Sequence, residues 1–512
     1  MNMRRGRRGI VAGVVLATVA ALGPASGGYG AAGDPALVAA LDQIVADSRL
    51  AGATTVLEVR DAATGASVYE RNVNQRVIPA SNQKILTSIA ALEVLGLDHR
   101  FRTDVLTAGG NLYLRGTGDP TVLASDLDAL AAAVAEAGVR TVRGNLIADD
   151  SYFDDVRLGT DWVWDDEPYS YAAPISALSL APDTDYDAGA VIVSTGPGAA
   201  SGRPAAVTLT PPNHYVRVVN RATTGAAGSA NTVSAVREHG TNTIVVTGSV
   251  PLGATAGQDW LSVEQPTKYA ASVFRDALAR HGVRVRGRIV TGATPPGATT
   301  VATDDSMPLR EMLVPFLKLS NNIHAEVLVK AMGRKASGEG TWPAGLRAAD
   351  TALTALGVRT DVIRSVEGSG LSRRDWLSTR QITTALLAAR GRPWFETWYA
   401  ALPIAGQPDR LVGGTLRSRM VGTPAAGNVH AKTGSLTGVS SLSGYVTDAA
   451  GRPLVFSMMV NHNLTGVTPI LDSVAVTLAG SGAGSPAAVL RRAPAPAPAV
   501  DGEMECAWVK AC

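Results

Sequence analysis

The sequence predicts an α+β fold in which a large strand-rich insert separates two halves of a helix-and-sheet body. Three observations carry this expectation. Strand-like runs at Thr54 to Val59 and Ser67 to Tyr69 flank a turn at Ala63-Thr64-Gly65, which reads as a β-hairpin. Ile85, Leu86, Ile89, Leu92 and Leu95 then recur at helical spacing until Gly96. Two polar strings, at Ser81 and Ser320, stand 239 positions apart (320 − 81), far more than a helical body needs between them. Gly, Thr, Val and Ala dominate the intervening stretch, with strand-like runs such as Ala206 to Leu209 and Thr243 to Val246.

Taken in order, the chain starts with Arg4, Arg5, Arg7 and Arg8 ahead of an apolar run from Ile10 to Leu22 and small residues Ala25, Ser26 and Gly27. This reads as an export signal over residues 1–32, by the secretory or the twin-arginine route. A retained membrane anchor is the alternative, although spanning takes roughly 20 apolar residues and this run has 13. At 512 residues, 46% apolar and 18% charged, the chain is long enough for two or more domains. The balance of 46 Lys+Arg against 44 Asp+Glu leaves no basic excess to draw nucleic acid.

Toward the end, Gly480 to Gly484 and the Ala-Pro alternation from Ala493 to Ala499 mark an extended tail, so the folded part is expected to finish near residue 480. The only cysteines, Cys506 and Cys512, lie in that tail over residues 481–512. The body therefore has no disulfide framework, and the two thiols either close a small loop or stay free. No repeat of 20 to 50 residues is visible.

Within the body, Pro79 precedes Ser81-Asn82-Gln83-Lys84, which places Ser81 in the first turn of the predicted helix. Residues i and i+3 share a helix face, so the ends of Ser81 and Lys84 can meet. A serine hydroxyl needs a base, and burial together with a helix N-terminus favours the neutral lysine that could serve as one. Seven of the 46 basic residues are lysines, and an arginine at position 84 would stay protonated. Alone, the string also fits a capped surface helix.

The second string, Ser320-Asn321-Asn322, suits either an N-cap between helices or a proton relay at Ser320 with Asn322 bonded to a substrate backbone and Asn321 turned away. The third, Lys432-Thr433-Gly434, suits an edge strand guarded by a lysine, or a cleft wall offering charge, hydroxyl and close approach. The three together supply a nucleophile, a base, a relay hydroxyl, an amide and a second cation. No cofactor or metal is expected: the seven histidines show no His-Glu-x-x-His spacing, and no Walker-type glycine loop occurs. His324 and His430 flank two strings without the Gly-x-Ser-x-Gly elbow of a triad hydrolase.

With these strings in this order, the chain resembles the D-alanyl-D-alanine carboxypeptidase/endopeptidases of the class C low-molecular-mass penicillin-binding proteins. Further strings resembling that family are Leu114-Arg115-Gly116-Thr117-Gly118-Asp119-Pro120, Asp149-Asp150-Ser151-Tyr152-Phe153, Ala173-Pro174-Ile175-Ser176-Ala177-Leu178, Gly368-Ser369-Gly370-Leu371-Ser372 and Leu402-Pro403-Ile404-Ala405-Gly406. The resemblance implies a discontinuous transpeptidase/β-lactamase-like domain, an antiparallel sheet flanked by helices, over 34–102 and 261–480, with two inserted domains over 103–260.

It also implies roles. Ser81 would be acylated, Lys84 would activate it, and Ser320 would shuttle the proton to departing D-alanine. Asn322 would hold the substrate amide. Lys432 and Thr433, beside Gly434, would recognise the terminal carboxylate, and the N–H groups of Ser81 and Ser435 would form the oxyanion hole. The implied partners are peptidoglycan stem peptides, with β-lactams as covalent inhibitors, at the cell wall or the outer face of the membrane. Carboxypeptidase against endopeptidase preference and oligomeric state stay open.

Glu367 departs from the family's usual aspartate before Gly368. The cluster Trp162-Val163-Trp164-Asp165-Asp166-Glu167 with Tyr169 and Tyr171 could receive the cationic end of a stem side chain, or be a solvated loop with structural tryptophans. Two other functions are compatible with the strings: a β-lactamase of the same fold, and a silent peptidoglycan-binding protein.

Overall fold

The structure is a computed structural model that describes residues 34–482. The expected export segment 1–32 and nearly all of the expected tail, with Cys506 and Cys512, lie outside the described residues. Among the described residues no helix is long and apolar enough to cross a membrane.

The body is built on one antiparallel sheet. Its strands are Thr54–Asp61 (β1), Ser67–Arg71 (β2), His430–Leu436 (β3), Val439–Thr447 (β4) and Pro453–Asn461 (β5), in the order β3-β4-β5-β1-β2. The hairpin turn between β1 and β2 forms because Asp61 Oδ1 accepts the N–H groups of Ala63 and Thr64, at 2.9 and 2.8 Å. In β5 the side chains alternate between faces with the strand's period of two. Phe456, Met458 and Val460 join a core with helices Pro35–Val45 and Thr468–Gly480. Val455 instead joins the core of the opposite face, with helices Gln83–Val94 and Thr379–Ala389.

Helix Gln83–Val94 follows the periodicity expected for it, and every side chain from Gln83 to Leu92 is buried. It is a central helix, wrapped by Asn322–Ser337, Trp342–Ala355 and Thr379–Ala389. Ser81 precedes it in the short 3-10 turn Ala80–Asn82, which runs straight into the helix.

The insert begins at strand Arg102–Ala108. Its five-stranded sheet has the order Ile289–Thr291, Leu146–Asp149, Asn111–Gly116, Arg102–Ala108, Thr299–Asp305. Helices Ala124–Glu136 and Pro266–Arg280 pack together against it. Smaller sheets between residues 190 and 262 contain the expected strands, seen as Ala206–Thr210 and Thr243–Thr247. The expected boundary at 260/261 is displaced. Tyr269, Phe274 and Leu278 share a core with Val105 and Leu114, and Thr299–Asp305 pairs with Arg102–Ala108. The hydrogen bonding thus assigns residues 261–305 to the insert, and the chain re-enters the body at helix Leu309–Lys318.

Candidate active site

The three strings meet at the mouth of the sheet. The turn carrying Ser81 is pinned from below: Asn82 Nδ2 donates to the Lys432 carbonyl at 2.9 Å, and Ser441 Oγ donates to the Pro79 carbonyl at 2.8 Å. Gly434 makes this approach possible. A Cβ there would lie 2.3 Å from Ser441 Oγ and 2.8 Å from Ser81 N, so only glycine lets β3 lie against the turn.

Ser81 is 2% exposed and Lys84 completely buried. Lys84 Nζ donates to Ser81 Oγ at 2.8 Å, to Asn322 Oδ1 at 2.6 Å and to the Ser369 carbonyl at 2.8 Å. Three acceptors match the three N–H bonds of an ammonium, and loss of one proton would leave a lone pair facing the serine hydroxyl.

Ser320 adopts the left-handed region, φ 59°, which is sparsely populated for a residue with a side chain. It introduces helix Asn322–Ser337, capped by Asn321, whose Oδ1 accepts the His324 N–H. Asn321 Nδ2 points away from Ser81, toward the carbonyls of Asp185 and Tyr186 and the Asp187 carboxylate. Asn322 faces inward, with Nδ2 donating to the Tyr171 carbonyl at 2.9 Å while Oδ1 takes Lys84. Its second amide hydrogen and second lone pair remain for a ligand.

Lys432 is completely buried, so it does not guard an exposed edge. Its Nζ donates to Ser320 Oγ at 2.7 Å and to the Thr433 carbonyl at 2.9 Å. Thr433 Oγ1 donates to Thr415 Oγ1 at 2.8 Å, and Ser435 lies half-buried further along β3. Sequence reasoning did not single out Thr415, the Tyr171 carbonyl or the Ser369 carbonyl. Only Ser369 had a signal, the family-like Gly368-Ser369-Gly370-Leu371-Ser372 string.

Among the described residues His324 and His430 bond to backbone carbonyls, of Tyr186 and Tyr399, and not to Ser81. His324 is completely buried against the Tyr186 carbonyl, and burial lowers its pKa to about 3. His430 stacks on Tyr399 with ring centroids 4.1 Å apart, and burial lowers its pKa too. The carboxylates of Asp183, Asp185 and Asp187 cluster within 4.8 Å, the arrangement among the described residues that could hold a cation. Arg410 already pairs with Asp185, and Asn321 is bonded to Asp187.

The acidic aromatic cluster divides. Glu167 pairs with Arg237 and His239 inside the insert. Trp162 turns inward, with its indole on Glu367 Oε2 at 3.3 Å. Asp166 Oδ1 accepts the Tyr171 hydroxyl at 2.9 Å, on the residue whose carbonyl holds Asn322. Burial raises the Asp166 carboxyl pKa, against the Tyr171 hydrogen bond and the Arg373 charge.

A serine joined to a lysine at the head of a central helix, a second lysine on a second serine, and an antiparallel sheet with helices on both faces define a serine acyl-transfer enzyme of the penicillin-recognising fold. Residues 37–477 match the D-Ala-D-Ala carboxypeptidase 3 (S13) family, and the chain belongs to that family. It is 46% identical over 487 residues to a D-alanyl-D-alanine carboxypeptidase of Actinomadura sp. (strain R39), covering 92% of this chain and 89% of that one. A D-alanyl-D-alanine carboxypeptidase of Haemophilus influenzae is 26% identical over 419 residues, 78% of this chain and 83% of its own. The crystal structure of penicillin binding protein 4 from Haemophilus influenzae superposes with a TM-score of 0.73 at 23% identity, covering 86% of this chain and 98% of that one. The chain is a serine D,D-peptidase, a hydrolase of the D-Ala-D-Ala carboxypeptidase kind.

Proposed function

We propose that Ser81 Oγ attacks the carbonyl of the penultimate D-alanine and releases the terminal D-alanine from a peptidoglycan stem. Lys84 Nζ, in its neutral amine form, takes the hydroxyl proton as the C–O bond forms. The N–H groups of Ser81 and Ser435 receive the negative charge of the tetrahedral intermediate, a contribution of roughly 3 to 4 kcal/mol per donor. The proton then passes through Ser320 to the departing amine, and the C–N bond breaks. Water resolves the acyl-enzyme by the reverse series of proton transfers.

Lys432 and Thr433, with Gly434 leaving room and Thr415 orienting the hydroxyl, bind the terminal carboxylate, while Asn322 bonds the substrate amide with its remaining hydrogen. The observation that carries this reading is Lys84 Nζ on Ser81 Oγ at 2.8 Å. β-Lactams, one of which a structure of penicillin binding protein 4 from Haemophilus influenzae holds, acylate the same serine. The basic, apolar N-terminal segment takes the protein to the wall side of the membrane, where this substrate lies. Asp166 receives the ammonium at the end of the stem side chain, beside Tyr171.

The test is the intact mass of the mature protein over time with benzylpenicillin, using Ser81→Ala as control. A one-drug adduct that persists for many minutes and is absent in the variant is expected. A transient adduct with drug turnover would instead make this chain a β-lactamase, and intact drug with no adduct would make it a silent wall-binding protein.

A further inference from the structure

Behind the Ser81–Lys84 pair lies a group of acids with no part in the chemistry above. Glu326 on helix Asn322–Ser337, Glu367 at the head of the Gly368-Ser369-Gly370 turn, and Asp375 beyond it are all completely buried. Glu326 Oε1 accepts the Ser369 N–H at 2.8 Å, and Oε2 accepts the Gly368 N–H at 2.9 Å and the Trp342 indole at 2.7 Å. Glu367 Oε1 accepts the Gly370 N–H at 2.6 Å, while Oε2 accepts the Ser369 hydroxyl and the Trp162 indole. Asp375 Oδ1 accepts the Val366 N–H at 2.7 Å.

Between these acids close packing out of water favours protons. Glu326 and Glu367 converge on Ser369, through its N–H and its hydroxyl, and the Glu367 charge acts on both Glu326 and Asp375; carboxyls packed this closely away from water can share a hydrogen bond only if one of them carries a hydrogen. Asp375 Oδ2 is buried and meets no N–H or hydroxyl donor, as expected of an oxygen that is itself protonated and donates to Glu367. Burial, and then the Glu367 charge, push Glu326 and Asp375 well above the ordinary carboxylate range. Burial acts on Glu367 in the same direction, yet the donors converging on it hold it below that range. One proton on each outer acid leaves the single charge in the middle.

The charged groups around this trio are few. Lys84 reaches it through the Ser369 carbonyl. On the far side Lys330 sits over the Trp342 ring, 3.9 Å from its centroid, and is bonded to Asp154, with Arg157 beyond it.

We propose that Glu326, Glu367 and Asp375 form a proton-sharing triad with one net negative charge centred on Glu367, and that this triad is the positioning device for Lys84. It fixes all three N–H groups of the 368–370 turn, and that turn presents the Ser369 carbonyl to Lys84 Nζ. The positioning half of the proposal rests on Lys84 being the base for acylation, and the proton inventory stands apart from it.

The test compares Asp375→Asn, Glu367→Gln and Glu367→Asp. Asparagine keeps an oxygen for the Val366 N–H and a donor for Glu367, whereas glutamine at 367 faces several donors with one oxygen. At pH 7.5 the wild type should show the infrared carbonyl band of protonated carboxyl groups, and Asp375→Asn should lose part of it. Asp375 holds its proton above the unfolded value, so its contribution to stability falls as pH rises through and beyond the carboxylate range. The Tm of Asp375→Asn should therefore gain on wild type from pH 5 to 8. Acylation by benzylpenicillin should fall less than threefold in Asp375→Asn, more than thirtyfold in Glu367→Gln, and less than tenfold in Glu367→Asp, which keeps the charge.

An absent carboxyl band, or a band and Tm profile in Asp375→Asn identical to wild type, overturns the triad even if Glu367→Gln does not fold. Wild-type acylation in a folded Glu367→Gln overturns the positioning role. If Lys84→Ala acylates at the wild-type rate, the base assignment fails while the infrared result can still stand.

Discussion

Buried lysines need oxygens in place of water, and Lys84 and Lys432 each find them on a serine hydroxyl and a backbone carbonyl. Two bland readings end here. The Ser81 string is not a surface helix cap, and Lys432 is not an edge guard, because both lysines are wholly enclosed. The i, i+3 contact of Ser81 and Lys84 was legible because helix geometry alone brings them together. The Ser369 carbonyl was not, since a backbone acceptor 285 positions from Lys84 leaves no mark in side-chain chemistry. Asp166 belongs to this scale too. Exchanging it for Asn should lower kcat/KM for stems with a free side-chain amine by roughly tenfold, about 1.4 kcal/mol, and spare acylated stems. Equal loss on both substrates, measured by D-alanine release, would leave Asp166 a structural partner of Tyr171.

Among the elements, β3 depends on one missing side chain. Gly434→Ala should push the strand off the Ser81 turn, lowering benzylpenicillin acylation more than about tenfold and stability by about 1 to 3 kcal/mol. Adding Ser441→Ala removes the nearer clash, 2.3 Å, but not the one with Ser81 N at 2.8 Å. The double variant loses the Ser441 bond to the Pro79 carbonyl and keeps the backbone clash, so it should recover only part of the Tm while acylation stays low. The hairpin and the nucleophile helix could be read from the sequence because their periods of 2 and 3.6 lie within a few residues. The insert's far boundary could not. Asp305 pairs with Arg102 across 203 positions (305 − 102), and a pairing that remote depends on both strands at once. The short strand Ile289–Thr291, paired with Leu146–Asp149, is hidden for the same reason.

Over the whole molecule, the insert forms one wall of the site. Tyr171 holds Asn322, and the loop at Asp185 to Asp187 holds Asn321. His324, beside that seam, stays neutral when folded, with its pKa lowered by burial to about 3, but accepts a proton near pH 6.5 when unfolded. The unfolded chain then binds more protons between these values, so stability rises with pH across that window and is lost on acidification. His324→Gln should shrink the fall in Tm from pH 6.5 to 4.5, and an unchanged fall would place the acid sensitivity elsewhere.

The pairing of Arg102 with Asp305 also bears on how the chain finds this structure. Once those ends are zipped together, the 239 positions between Ser81 and Ser320 shrink to an effective loop of 36 (239 − 203). By loop-closure entropy this lightens the meeting of Ser81 and Ser320 by about 1.7 kcal/mol. If assembly runs from the insert outward, pulse-labelled amides of Arg102–Ala108 and Thr299–Asp305 should gain protection before those of β3, and simultaneous protection would remove that order; the contacts of Ser81 would then form on a chain already tied into a short noose.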